Sequence, residues 1–306
     1  MEKGIAMTLT DTMTATTTDT TTDTTTDTTA ITATRVGTTI GAVVEGVDFD
    51  NLTPEVAEHL NELVLEHAVL IFEGVHASED QQERFARCFG EPYIYPLTRY
   101  ANPDGDIWTE FIDTPDSPPE ADVWHTDLTW VQDQPKFGIL SAEEVPETGG
   151  DTMWADLYAA YDSLSPVMQE ICENLKVMHQ IGRNVLDPVE RNAGFAAAAF
   201  LRDNYPEIKH PLVRTHPETG RKVLLLAGGF MKYVEGMHPE ESDLVLKYLR
   251  KHINDPNFHF GWRWKKGDLG IWDERCTNHR GLANHYPQYR KMRRCTVQGS
   301  KQFSGI

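Results

Sequence analysis

Runs of strand length stand towards both ends of this 306-residue chain, and helical signals gather mostly before and between them. Val69–Phe72, Phe137–Val145 and Thr152–Trp154 read as strands on the early side, and Val223–Leu226, Phe258–Trp264 and Leu269–Trp272 on the late side. A parallel doubly wound sheet needs strand and helix to alternate, which this order does not provide. A β-sandwich or barrel core carrying helical insertions is the expected architecture.

The helices announce themselves by their caps. Thr53-Pro54 is an N-cap and first-turn pair ahead of Val56, Leu60, Leu63 and Val64. Ser78 with Gln81 forms a capping box for a helix that buries Phe85 and Phe89 and stops at Gly90. Further helices are expected after Asp156, from Ser165-Pro166, from Asp187-Pro188 through the alanines near 198, and over 239–252. Thr148-Gly-Gly-Asp151 reads as a tight turn.

Composition changes sharply near residue 35. From Thr16 the chain repeats Thr-Thr-Thr-Asp, a period with no apolar stripe to bury, so residues 1–34 are expected to form a disordered tail, dispensable to the domain. This segment lacks the basic start and apolar stretch of a secretory signal, and Met7 or Met13 can serve as the start. The domain is expected over 35–301, with 302–306 as a short C-terminal tail.

Apolar residues make up 40% of the chain, enough for a sizeable core, and 47 acidic against 28 basic residues leave a net charge of −19. Such a field repels nucleic acid and anionic membranes, so neither is the expected partner. Four scattered cysteines without CxxC spacing signal neither a disulfide framework nor a thiolate metal site, as in a reduced cytoplasmic protein.

Metal ligation is the chemistry the polar residues suggest. His125-Thr-Asp127 puts an imidazole and a carboxylate on one side of an extended strand. With 12 histidines in an acidic chain, about one such triplet arises by chance. His216-Pro-Glu218 and His238-Pro-Glu240 share the spacing, but their prolines mark a turn and a helix start, with the acids solvated. Trp124 and Trp130 flank His125 with bulk able to dry a pocket, and Thr126 adds a hydroxyl between the ligands. Downstream, Trp272-Asp-Glu-Arg275 ends a strand, with His279 just beyond. Two histidines and one carboxylate form a facial triad that suits iron(II), although zinc can use the same set. Arg290 and Arg294, 11 and 15 residues past His279, separate the two cases. An enzyme using a dicarboxylate must grip its far end, which a guanidinium does with two parallel bonds. Taken alone, a basic cluster at 290–294 reads as a solvated strand edge.

The segments Trp124–Thr129, Thr148–Trp154, Trp272–His279 and Arg290–Arg294 resemble the taurine dioxygenase (TauD/TfdA) family, in the family's order and at its spacing. The resemblance implies a double-stranded β-helix, or jelly roll, with peripheral helices, and an enzyme using iron(II) (Fe(2+)), 2-oxoglutarate and O2. It places the iron ligands at His125, Asp127 and His279, and the grip on the distal carboxylate of 2-oxoglutarate at Thr152 and Arg290. Arg294 falls where the family contacts an acidic substrate group or assists the cosubstrate. The implied reaction oxidises a C–H bond of a small anionic molecule by hydroxylation, cleavage or desaturation, releasing succinate and CO2. Trp272 and Asp273 are expected to support the fold around the ligands, and homo-oligomers are expected from the relatives. A filled Asp127 position argues against the halogenating subclass. His285 is the rival distal ligand; its other expected role is a surface or pocket-wall histidine. A metal-dependent hydrolase or isomerase, and a binding module without activity, are the remaining classes.

The chain departs from the taurine enzyme. Tyr95 and Thr98 stand where that enzyme has His and Tyr, and Ala121 replaces an amide side chain. Tyr93, Tyr95, Leu128, Trp130 and Phe230 are the candidate substrate-pocket residues, which suggests a roomier and more aromatic pocket.

Overall fold

The computed structural model describes residues 30–101, 105–119 and 122–299. Local signals decide most of the helices. The Thr53 side chain accepts from the backbone N–H of Val56, Pro54 opens the helix Pro54–His67, and Val56, Leu60 and Val64 form its buried stripe. Both halves of the capping box at Ser78 and Gln81 are made, and the helix Glu79–Arg87 follows. The helix at Asp156 starts where expected and runs over Leu157–Asp162, its N-cap carboxylate accepting from two backbone N–H groups. Helices Pro166–Glu173 and Pro239–His252 also begin at the expected residues.

One large sheet runs Thr32–Arg35, Ala42–Glu45, Val69–Phe72, Leu269–Asp273, Pro135–Glu144, Arg290–Gln298 and Thr109–Asp113, in that spatial order. Its pairs are antiparallel except Ala42–Glu45 with Val69–Phe72. A second sheet places Thr152–Asp156 between His259–Trp262 and Thr277–Gly281. Trp154 of the second sheet meets Trp272 of the first with ring centroids 5.9 Å apart, and both are buried. Each indole removes enough apolar surface from water to contribute roughly 2–3 kcal/mol, so this contact ties the two sheets together. Lys176–His179 pairs with Met231–Val234 and Ile208–Pro211 in a third sheet, and Val213–Thr215 with Lys222–Leu224 in a hairpin. One mixed sheet and further antiparallel sheets with helices around them match the expected β-rich class. Among the described residues no helix is long and apolar enough to cross a membrane.

Three expectations need correction. The boundary at residue 35 falls at the end of a strand, since Thr32–Arg35 pairs with Ala42–Glu45 and Ile31 is buried. Threonine-rich sequence near the domain therefore does not stay outside it, because β-branched residues suit an edge strand. The remainder of the expected tail, and 302–306, lie outside the described residues. The helix expected from Asp187-Pro188 through residue 198 is two helices, Arg183–Ala193 and Phe195–Asn204. Gly194, at φ 86°, breaks them in the left-handed region, while Pro188 sits inside the first helix. The strand expected over 258–264 is shorter, His259–Trp262, because a 3-10 turn takes Pro256–Phe258.

Candidate metal centre and its cavity

His279 lies on the strand Thr277–Gly281, opposite Trp154, and His125 pairs with His279 across an isolated antiparallel bridge. Their backbones exchange both hydrogen bonds, at 3.0 and 2.8 Å, which turns the two side chains to one face. The imidazole centroids are 4.2 Å apart. Nδ1 of His125 lies 2.8 Å from the carbonyl of Val123 and donates to it, leaving the Nε2 lone pair free. That Nε2 is 3.6 Å from Oδ1 of Asp127. The three side chains each offer a donor atom within 4.8 Å of the other two. Asp127 does not reach this position by strand alternation, as expected from sequence. A turn begins at Asp127, with Leu128 at φ 52°, and tertiary contacts hold the carboxylate instead.

Those contacts come from both sides. Nη1 of Arg294 donates to Oδ2 of Asp127 at 2.5 Å, and the backbone N–H of Asp127 donates to Oε2 of Glu274 at 3.0 Å. Burial alone would raise the Asp127 pKa, but Arg294 and the two histidines outweigh it and hold it at about 2. Burial acts the other way on His279, pushing it well below 6.5, with His125 adding to the effect. A neutral imidazole and an ionised carboxylate are the forms a metal ion binds. His279 is buried and its Nδ1 has no hydrogen-bond partner among the described residues. The donor set therefore fits iron(II) or a similar divalent ion.

Glu274 carries no signal in the sequence beyond its place in Trp272-Asp-Glu-Arg275. It is buried, accepts from Nε1 of Trp272 at 2.7 Å, and its Oε1 lies 3.9 Å from Nδ1 of His279. Burial first, then the neighbouring Asp127 charge, pushes its pKa well above the usual range. Two carboxylates this close favour one charge, and Arg294 assigns it to Asp127. Thr126 does not sit between the ligands. Its hydroxyl donates to the Thr277 carbonyl and accepts from Asn278, tying this segment to the strand Thr277–Gly281. Nε1 of Trp124 donates to Asn254, and this indole is not on the cavity wall.

The centre opens into a cavity of about 420 Å³, lined also by Thr152, Arg290 and Arg294. Arg290 and Arg294 stand on one face of Arg290–Gln298, as the alternation predicts. The solvated-edge reading fails for Arg293 as well, which is buried and donates to Gln82 and Glu143. Nε of Arg290 has no hydrogen-bond partner among the described residues, and Thr152 accepts from Nε1 of Trp264 at 2.9 Å. The Thr148–Asp151 turn shapes this end, with Gly149 and Gly150 at φ 77° and 73°. A Cβ on Gly150 would stand 3.2 Å from Cδ of Arg290, so the glycine lets the guanidinium stem pass.

The Taurine catabolism dioxygenase TauD, TfdA family pattern matches residues 28–296. The chain belongs to this family. It is 35% identical to an alkylsulfatase of Acinetobacter baylyi over 266 residues, covering 84% of this chain and 82% of that one. It is 32% identical to an alpha-ketoglutarate-dependent sulfate ester dioxygenase of Pseudomonas putida, covering 84% and 86%. A taurine dioxygenase from Burkholderia xenovorans superposes with TM-score 0.74 at 26% identity, covering 89% of this chain and 92% of that chain. The protein is thus an iron(II)- and 2-oxoglutarate-dependent dioxygenase that also consumes O2.

Within this TauD/TfdA-family cavity, Tyr95, Leu128, Trp130 and Phe230 line the wall as anticipated. Tyr93 does not. Its backbone N–H pairs with Thr296 and its buried ring packs near Arg99. Ala121 lies outside the described residues. Sequence reasoning missed Phe111, Asp113, Val185, Pro188 and Val189, which also line the wall from a strand and a helix that carry no binding motif. His285 is a buried wall residue outside the three-donor cluster; its Nε2 lies 3.1 Å from Oδ2 of Asp113.

His216, Asp273 and Cys276 form a second close cluster. Nδ1 of His216 accepts from the N–H groups of Glu218 and Thr219, so its Nε2 bears the proton and donates to Asp273. No imidazole lone pair remains for a metal there. Glu218 is exposed, as expected of a solvated acid, and it also accepts from Arg275 and pairs with Lys136. Arg275 in turn grips Asp273, and this network braces the turn that carries Glu274. His238 caps the helix Pro239–His252, as its proline predicts.

Proposed function

We propose that His125, Asp127 and His279 hold iron(II), that Arg290 with Thr152 binds the distal carboxylate of 2-oxoglutarate, and that the substrate is an alkyl sulfate ester. The convergence of the three donor atoms within 4.8 Å on a cavity that Arg290 and Arg294 also line is the observation that carries this reading. The jelly-roll description of the core belongs to it, supported by the two sheets joined through Trp154 and Trp272. A cytoplasmic, self-associating enzyme is part of the same proposal, supported by the family resemblance.

The substrate class follows from the wall chemistry and the relatives. Leu128, Val185, Val189 and Phe230 offer a dry sleeve for hydrocarbon, while Arg294 supplies a guanidinium to an anionic head. Tyr95, its phenol pushed up to about 12 by burial and by Asp127, stays neutral and can donate to the same head. Iron(II) with 2-oxoglutarate and O2 supplies the oxidising power. The side chains orient the carbon next to the ester oxygen and keep water out. Hydroxylation at that carbon gives a hydroxyalkyl sulfate, which breaks its C–O bond to sulfate and forms the aldehyde. One O2 and one 2-oxoglutarate are consumed, and succinate and CO2 leave.

Two measurements test the proposal. Adding 2-oxoglutarate to the anaerobic iron-loaded protein should produce a visible charge-transfer band, and Asp127→Ala should abolish it. Incubation with alkyl sulfates should release sulfate and succinate in equal amounts. Succinate release that responds only to anions without a sulfate ester would reject the substrate class.

A further inference from the structure

Arg290 faces Asp113 directly across the antiparallel ladder between Arg290–Gln298 and Thr109–Asp113. Oδ2 of Asp113 is 3.6 Å from Nη1 of Arg290, too long for a hydrogen bond, and 3.1 Å from Nε2 of His285. The imidazole is 1% exposed, and both its nitrogens face oxygens, Nδ1 lying 3.1 Å from the Leu282 carbonyl. All three side chains line the cavity.

An arginine that must take up a dicarboxylate cannot be saturated by a carboxylate of its own chain. A charge-assisted pair closes at about 2.7–2.9 Å, so Asp113 stands less than 1 Å short of capturing Arg290. With its proton on Nε2, His285 donates to Asp113 and draws the carboxylate away. Among the described residues no other side chain hydrogen-bonds the Asp113 carboxylate. The imidazole is held in turn by the loop that packs on the Thr148–Asp151 turn, where Asn284 accepts from the Gly150 N–H at 3.0 Å.

We infer that His285 is a positioning residue that restrains Asp113 and so keeps Arg290 open for the cosubstrate. This inference rests on the assignment of Arg290 to the distal carboxylate of 2-oxoglutarate. Asp113 then acts as an internal competitor whose reach the imidazole limits.

The test is a titration of 2-oxoglutarate into anaerobic iron(II)-loaded full-length protein, read by the charge-transfer absorbance, with iron affinity measured separately by chelator competition. His285→Leu should weaken 2-oxoglutarate binding about 10-fold with iron affinity unchanged. His285→Gln, which keeps a donor, should stay close to wild type, and His285→Leu with Asp113→Asn should recover wild-type affinity. Asp113→Asn alone should bind 2-oxoglutarate as tightly as wild type or more so. The inference is overturned by unchanged binding in His285→Leu or by failure of Asp113→Asn to restore it. If His285→Leu does not fold, weakened binding in Asp113→Asn alone overturns it, because Asp113 would then be aiding the cosubstrate. Arg290→Gln is the separate control: normal 2-oxoglutarate affinity there would reject the Arg290 assignment itself, whatever the His285 variants do.

Discussion

Nη1 of Arg294 holds Oδ2 of Asp127 at 2.5 Å, which leaves Oδ1 of the same carboxylate turned towards Nε2 of His125 at 3.6 Å. One guanidinium therefore keeps the aspartate ionised and presents a single oxygen to the metal position. Replacing Arg294 with Met leaves a buried carboxylate without its partner, a loss of about 3–5 kcal/mol in the metal-free protein. Iron restores a positive charge beside Asp127, so the loss should shrink when the ion is bound. Chemical denaturation with and without iron(II) reads both values, and a metal-free variant as stable as wild type would disprove the pairing.

Glu274 touches both arms of the ligand set, accepting from the Asp127 N–H and lying near His279. Glu274→Leu removes both acceptor oxygens and should lower iron affinity on the order of 10- to 100-fold. Glu274→Gln keeps one acceptor and should fall between that variant and wild type. Competition with a fluorescent chelator gives the ranking, and equal affinities across the three proteins would show that the carboxylate does not orient the ligands.

Gly150 occupies the left-handed region beside the Arg290 stem. Gly150→Ala adds a strain of about 1–2 kcal/mol and a methyl group that pushes the guanidinium aside. Weaker 2-oxoglutarate binding is expected while iron affinity holds. Calorimetric titration of the iron-loaded protein checks this.

His210 is buried with Nε2 2.7 Å from the Thr129 carbonyl, beneath the turn that carries Leu128 and Trp130. Burial, aided by Arg214, pushes its pKa down to about 3. The unfolded chain binds a proton near pH 6.5 that the folded chain refuses, so stability falls as pH drops between those values. The slope from this group is about 1.4 kcal/mol per pH unit. Denaturation of the metal-free protein at pH 7 and pH 5 should show it, and His210→Leu should flatten the dependence by that amount. An unchanged slope would reject the assignment.

The legible parts of this chain share a cause. Thr53-Pro54, Ser78 with Gln81, and Ser165-Pro166 act within one helical turn, so their outcome is settled before distant segments meet. The split at Gly194 is hard to read because the run of alanines after it suits one long helix as well as two, and a single exposed glycine at φ 86° makes the break. Tyr93 was misplaced because an aromatic beside a loop reads the same whether it faces a cavity or the core.

By itself the sequence singled out the proposed donors and anchor: His125, Asp127, His279, Arg290 and Arg294 stand out because they fall in motifs that resemble the family's, in its order and spacing. Tertiary structure alone decided how they are held. Glu274, Asp113 and His285 resemble ordinary polar residues until distant strands bring them together. Burial then turns each into a partner that a ligand or an arginine must reckon with, because a polar group removed from water has only its neighbours to answer it.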